Sequence, residues 1–116
     1  MKSNCASVNN IRSSIAAYLR CRSGISLIEM CRDIDGFAGD KTWIIADANL
    51  VVWPGMSDDA VEAMMAMIVA EEITPTVTTP FVYLYDGGML DMPVAKSLKQ
   101  YKTKRWIPLV FAGGAA

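Results

Sequence analysis

The stretch Ser57–Asp91 constrains the fold more than any other part of the chain. Ser57 can accept a backbone N–H bond at a helix start, and Asp58 and Asp59 suit the positive end of the helix dipole. Val61, Met64, Met65, Ile68 and Val69 follow at i, i+3, i+4, i+7 and i+8, the spacing of one buried stripe. Pro75 limits how far this helix can run. Residues 76–80 then read as an extended linker. Phe81–Tyr85 is β-rich, Asp86-Gly87-Gly88 is a turn, and Met89–Met92 reads as the return strand of a hairpin, ended by Pro93.

Two helices are expected before this unit. The first is capped at Asn9 or Asn10, runs to about Arg22, and buries Ile11, Ile15, Tyr18 and Leu19. Ser23-Gly24 ends it. The second starts at a capping box, Ser26-Leu27-Ile28-Glu29, buries Leu27, Ile28, Cys31 and Ile34, and stops at Gly36. Residues 37–40 read as a loop. Thr42–Ile45 and Leu50–Trp53 are β-branched and aromatic runs around the turn residues 46–49, a second hairpin, with Pro54-Gly55 breaking its outgoing strand. Residues 94–105 are polar and basic. Trp106–Phe111 is a last strand, and Pro108 within it suits a sheet edge. Residues 1–8 and 113–116 read as frayed ends.

The order of two helices, a capped third helix and the hairpin around Asp86-Gly87-Gly88 resembles the winged helix-turn-helix superfamily in general pattern. That resemblance implies an α+β fold in one domain over 1–116. It would have three helices, an inserted hairpin after the second, a wing hairpin and a C-terminal strand. It places the Ser57 helix in the recognition position and Asp86-Gly87-Gly88 at the wing tip.

Charge argues against base reading by that helix. A recognition helix offers Arg, Lys, Asn or Gln to DNA. With the stripe removed, this one offers Asp58, Asp59, Glu62, Ala63, Ala66, Glu71 and Glu72, and the expected wing carries Asp86 and Asp91. The net charge is −1 and the pI about 5.3, so no global positive field draws the chain to nucleic acid. Lys96, Lys99, Lys102, Lys104 and Arg105 do cluster, with Tyr101 and Trp106 among them. That stretch could follow a phosphate backbone.

Catalytic chemistry finds little footing. There is no His, which removes the commonest general base and metal ligand. Cys5, Cys21 and Cys31 are widely spaced without a C-x-x-C, so neither a disulfide framework nor a zinc site is expected. No signal peptide or membrane span is visible, and a reduced, cytoplasmic protein is expected. Asp33-Ile34-Asp35-Gly36 fails the register of a calcium loop. No spacing singles out a carboxylate pair from Asp40, Asp47, Asp86 and Asp91. Neither a dinucleotide fingerprint nor a P-loop occurs, and no cofactor or metal is expected.

Apolar residues make up 53% of the chain, above the usual share for a soluble domain, which points to a surface covered by a partner or by a second copy. The favoured expectation is a small non-enzymatic binding or regulatory protein acting through protein–protein contact. Asp58, Asp59, Glu62, Ala63, Ala66 and Met67 would form its interface. Small accessory products of phages and plasmids, including inhibitors of host defence, share this size and character. The alternatives are a DNA-binding regulator using residues 96–105, and a small carboxylate-dependent enzyme.

Overall fold

A computed structural model describes residues 5–113. Of the ends read above as frayed, residues 1–4 and 114–116 lie outside the described residues, whereas residues 5–8 are helical and Gly113 closes a strand. The fold is α+β. In chain order it runs α1 (Cys5–Leu19), β1 (Ile25–Ser26), α2 (Leu27–Asp33), β2 (Ala38–Ile45), β3 (Leu50–Met56), α3 (Asp58–Val69), β4 (Ile73–Val77), α4 (Pro80–Asp86), β5 (Arg105–Trp106) and β6 (Leu109–Gly113).

Local signals place the first half. α1 buries Ile11, Ile15 and Leu19 and half-buries Tyr18, although it is already helical at Cys5 and stops at Leu19, short of Arg22. Ser26 caps α2 by accepting the Glu29 N–H at 3.3 Å. The reciprocal half of the expected box differs, because Glu29 turns its carboxyl to Asp86. Met30, outside the expected stripe, is fully buried.

The hairpin of β2 and β3 is longer than its β-branched runs. β2 begins at Ala38, within the segment read as a loop, and β3 continues through Pro54-Gly55 to Met56. Shifts in the register between Ala38 and Ile44 absorb these residues, as bulges do. A 3₁₀ turn, Ala46–Ala48, closes the hairpin with Asn49 in the left-handed region. At the open end, Ser57 both caps α3 and ties it to the preceding loop. Its hydroxyl accepts the Ala60 N–H at 3.1 Å and donates to the Gly36 carbonyl at 2.6 Å, and its own N–H donates to Phe37 at 2.8 Å. Gly39 makes this approach possible, since a Cβ there would sit 2.7 Å from Ser57 Cα.

Two three-stranded sheets result, ordered β1-β6-β4 and β2-β3-β5. The first is antiparallel; in the second, β3 and β5 run parallel. Residues 73–77, expected as helix exit and linker, are β4, paired along β6 from Ile73↔Gly113 to Val77↔Leu109. The C-terminal strand is therefore central, where an edge was expected. Leu109, Val110 and Phe111 are buried in succession, as a strand covered on both faces requires. Pro108 sits between β5 and β6, outside both ladders.

The expected wing hairpin is replaced by α4. Pro80 sits at its first turn, where a fixed φ and a missing N–H are harmless. Gly87, at φ +110, forms its left-handed cap, and the Gly87 and Gly88 N–H groups return to Leu84 and Tyr83 carbonyls. Residues 89–92 form no strand.

Tyr83 of α4 is fully buried and joins the two sheets. Its hydroxyl donates to the Leu109 carbonyl of β6 at 2.5 Å and accepts the Leu27 N–H at the start of α2 at 3.1 Å. Its ring meets Trp53 of β3 at 4.9 Å and Trp106 of β5 edge-on at 5.3 Å. Trp43 of β2 stacks on Phe111 of β6 at 6.2 Å, a second bridge between the sheets. Tyr83→Phe leaves a buried N–H and a buried carbonyl without this partner, and is expected to lower stability by about 1–3 kcal/mol in urea denaturation. A variant as stable as the parent would show that the hydroxyl holds nothing together.

Candidate functional site

The face of α3 differs from the expected one. Ala60, Ala63, Met64 and Met67 are buried, while Met65 is 51% and Val69 84% exposed. Ala63 and Met67, expected at an interface, are therefore core residues. Positions 60, 63, 64 and 67 satisfy the helical spacing as well as 61, 64, 65 and 68 do, because most of this helix is apolar. α3 packs against α1, and the small residues Ala60 and Ala63 are among those it buries. Of the other expected interface residues, Asp58 and Glu62 are exposed and Asp59 and Ala66 half-buried. Asp58 pairs with Lys41 of β2 at 3.2 Å. Glu72, beyond the helix, takes a two-pronged bond from Arg12 of α1 at 2.7 and 3.0 Å. An open depression lies between β2 and α3, with Ile44, Val61 and Met65 among its lining and the Lys41–Asp58 pair at its side.

A more apolar surface lies on α4. With Tyr83 turned inward, Phe81 is 76%, Leu84 54% and Tyr85 92% exposed, and Met89 after the helix is 55% exposed. Positions 81, 84 and 85 share one helical face. Read as a strand, the same run would have put Phe81, Tyr83 and Tyr85 together. The signals for a helix were Pro80 at its start and Gly87 at its end, and the β-rich composition between them outweighed both.

Beside this face, α2 and α4 bring two carboxyls together. Gly24, Glu29, Phe81, Val82, Tyr85 and Asp86 line an open depression of about 380 Å³. Burial first, and then the neighbouring Asp86 carboxylate, hold the Glu29 carboxyl above the usual carboxylate range. The Ser26 hydroxyl donates to Asp86 at 2.6 Å. Asp86 thus meets Glu29, a residue absent from the acids considered in the sequence. Ser26 is fully buried, and its hydroxyl is engaged both as donor and as acceptor. The arrangement suits a cation placed against the two acids, such as a lysine or arginine head.

The cysteines differ in character. Cys21 is exposed, and Cys31 is half-buried with its thiol 3.7 Å from the Gly55 carbonyl. Burial pushes the Cys31 thiol up to about 11. Asp33, by contrast, is held down at about 2 by bonds from Arg32 and the Tyr18 hydroxyl. Among the described residues, no group of three His, Cys, Asp or Glu side chains is placed to hold a metal.

The basic residues expected at 96–105 fall on the irregular segment after α4, with Arg105 as the first residue of β5. Lys96, Lys99, Lys102 and Lys104 are exposed and Arg105 is half-buried. The Tyr101 ring lies under Lys99 at 5.3 Å and under Arg105 at 4.9 Å. Among the described residues, no helix is long and apolar enough to cross a membrane.

Comparison with protein-family models, curated proteins and solved structures gives no match.

Two measurements test this site. The folded state raises the pKa of Glu29, so its contribution to stability is full below the carboxylate range and is lost as pH rises through it. Glu29→Gln should therefore raise the urea midpoint at pH 7 and leave it nearly unchanged at pH 3. Equal shifts at both pH values would contradict the strained carboxyl pair. In the native protein at pH 8, alkylation followed by peptide mapping should label Cys21 at least about tenfold faster than Cys31, since the thiolate is the reactive species.

Proposed function

We propose that this chain is a small non-enzymatic binding protein that acts through protein–protein contact, with α4 as its contact surface. The observation that carries this reading is the outward-facing set Phe81, Leu84 and Tyr85, with Met89 just beyond. Scattered single apolar residues need no explanation on a surface, but several on one short element mark a place to be covered. Two of the four are aromatic, the residue class that most often anchors interfaces.

The carboxyls beside this face define the partner. Glu29 and Asp86 line the depression that Phe81, Val82 and Tyr85 wall on the apolar side. A protein segment presenting an apolar side chain next to a Lys or Arg would cover the patch. It would also supply the positive charge that relieves the carboxyl pair. A regulatory role follows if this segment belongs to a surface that the partner needs for its own work. The reading moves the contact from the acidic α3 to α4, and leaves its class unchanged.

The test uses Phe81→Ser/Tyr85→Ser, both at exposed positions where substitution leaves the fold intact. Wild-type protein immobilised on resin should retain a partner from lysate that the double variant releases. Glu29→Lys should weaken the same complex at least about tenfold by reversing the complementary charge. Capture that is identical for all three proteins would defeat the proposal. Concentration-dependent self-association abolished by the same double substitution would name a second copy as the occupant, and would replace the separate partner proposed here.

A further inference from the structure

We infer that the segment Lys96–Arg105 is a second binding surface, for the phosphodiester backbone of nucleic acid. Five cations lie within ten residues. Among the described residues none of them forms an ion pair; the pairs there are Arg12–Glu72, Arg32–Asp33 and Lys41–Asp58. Elsewhere among the described residues Arg20 and Arg22, just past the end of α1, are also exposed without an ion pair, but only on this segment do five unpaired cations fall within ten residues.

The segment is held in place. The Tyr101 N–H donates to the Ala48 carbonyl at 3.0 Å, Asn49 Nδ2 donates to the Tyr101 carbonyl at 2.8 Å, and the Arg105 N–H donates to the Asn49 carbonyl at 2.9 Å. Gln100 Nε2 reaches the Asp47 carbonyl at 2.8 Å. The Tyr101 hydroxyl accepts the Lys96 N–H at 3.3 Å, and two cations rest against its ring. The positive charges are thus spread along a segment tied to the turn of the β2–β3 hairpin, so little ordering entropy is left to lose on binding.

Position separates this charge from the acids of α3. The acidic start of α3 and the Lys41–Asp58 pair lie at the open end of the hairpin, where Met56 pairs with Ala38 and Lys41. The basic segment packs on the opposite, turn end, where the exposed Asp47 sets one negative charge against its five positive ones. Seven residues of β3 separate the two by about 20 Å, well beyond a Debye length of about 8 Å at physiological salt. The net charge of −1 is a sum over the whole chain and conceals the local excess on this segment.

The chemistry favours phosphate over an acidic protein. Protein interfaces need an apolar centre, and Leu98 is the large exposed apolar residue here, 53% exposed among charged neighbours. A phosphodiester chain asks only for repeated positive charge along its length. The surface is separate from α4, so this inference and the protein-contact reading stand or fall independently.

Fluorescence anisotropy with a labelled oligothymidine of about twenty nucleotides tests it. The 116-residue chain should bind at about 50 mM salt. Engagement of all five cations gives a slope of log K against log salt near −3.5, or about a hundredfold loss on raising salt to about 200 mM. Lys99→Glu/Lys102→Glu/Lys104→Glu should bind at least about tenfold more weakly with an unchanged thermal melt. Phe81→Ser/Tyr85→Ser should bind like the parent. No binding at low salt would overturn the inference, as would equal binding by the charge-reversed variant. So would tighter binding of a polyglutamate peptide of the same length, which would assign the surface to an acidic protein.

Discussion

The hydroxyl of Tyr83 is the interaction on which the rest of the arrangement depends. It is buried, it donates to β6 and it accepts from the start of α2, so both of its hydrogen-bonding roles are filled by backbone. Its ring completes an aromatic cluster with Trp53 and Trp106. A side chain fixed in this way sets the rotation of the helix that carries it. With Tyr83 inward, Phe81, Leu84 and Tyr85 cannot also turn inward on a helix of this length. Their exposure follows geometrically from one buried residue and does not reflect poor packing.

The same residue brings the two acids together. Docking α4 on α2 and β1 places Asp86 over the Ser26 hydroxyl and against Glu29. The cap of α2 is thereby shared between two elements far apart in sequence. Its serine accepts a local N–H, as any cap does, and donates its O–H to a distant carboxylate. A polar pair next to an exposed aromatic face is the chemistry that the proposed contact would use. It exists only because the core fixed the helix.

Short-range signals were legible in the sequence, and long-range ones were not. The caps at Ser26 and Ser57, the buried stripe of α1 and the turn at residues 46–49 each depend on neighbours a few positions away. The face of α3 was ambiguous because apolar residues surround most of that helix; the choice was made by how closely α1 approaches. α4 was misread because Phe, Val and Tyr favour strands unless something terminates them, and Pro80 and Gly87 did so. β4 looked like a linker because its partner β6 is distant in sequence. The α4 face was missed with the helix itself, whereas the basic run was visible as composition, and only the structure shows it pinned to the hairpin turn.

The central position of β6 has a consequence for the order of assembly. Its partners are β1, near the first helix, and β4, so Ser26 pairs with Val110 across almost the whole chain. Closing so long a loop is entropically unfavourable until other contacts shorten it. The β2–β3 hairpin and the docking of α1 on α3 span less chain. The pairing of β6 with β4 spans much less chain than its pairing with β1, so by loop length β4 and β6 can join first and β1 completes the sheet last. The last strand to join is then β1, laid along an edge of β6 whose other edge β4 already holds. The Tyr83 hydroxyl, which donates to Leu109 on β6 and accepts from Leu27 just after β1, fills both of its bonds only when β1 has joined.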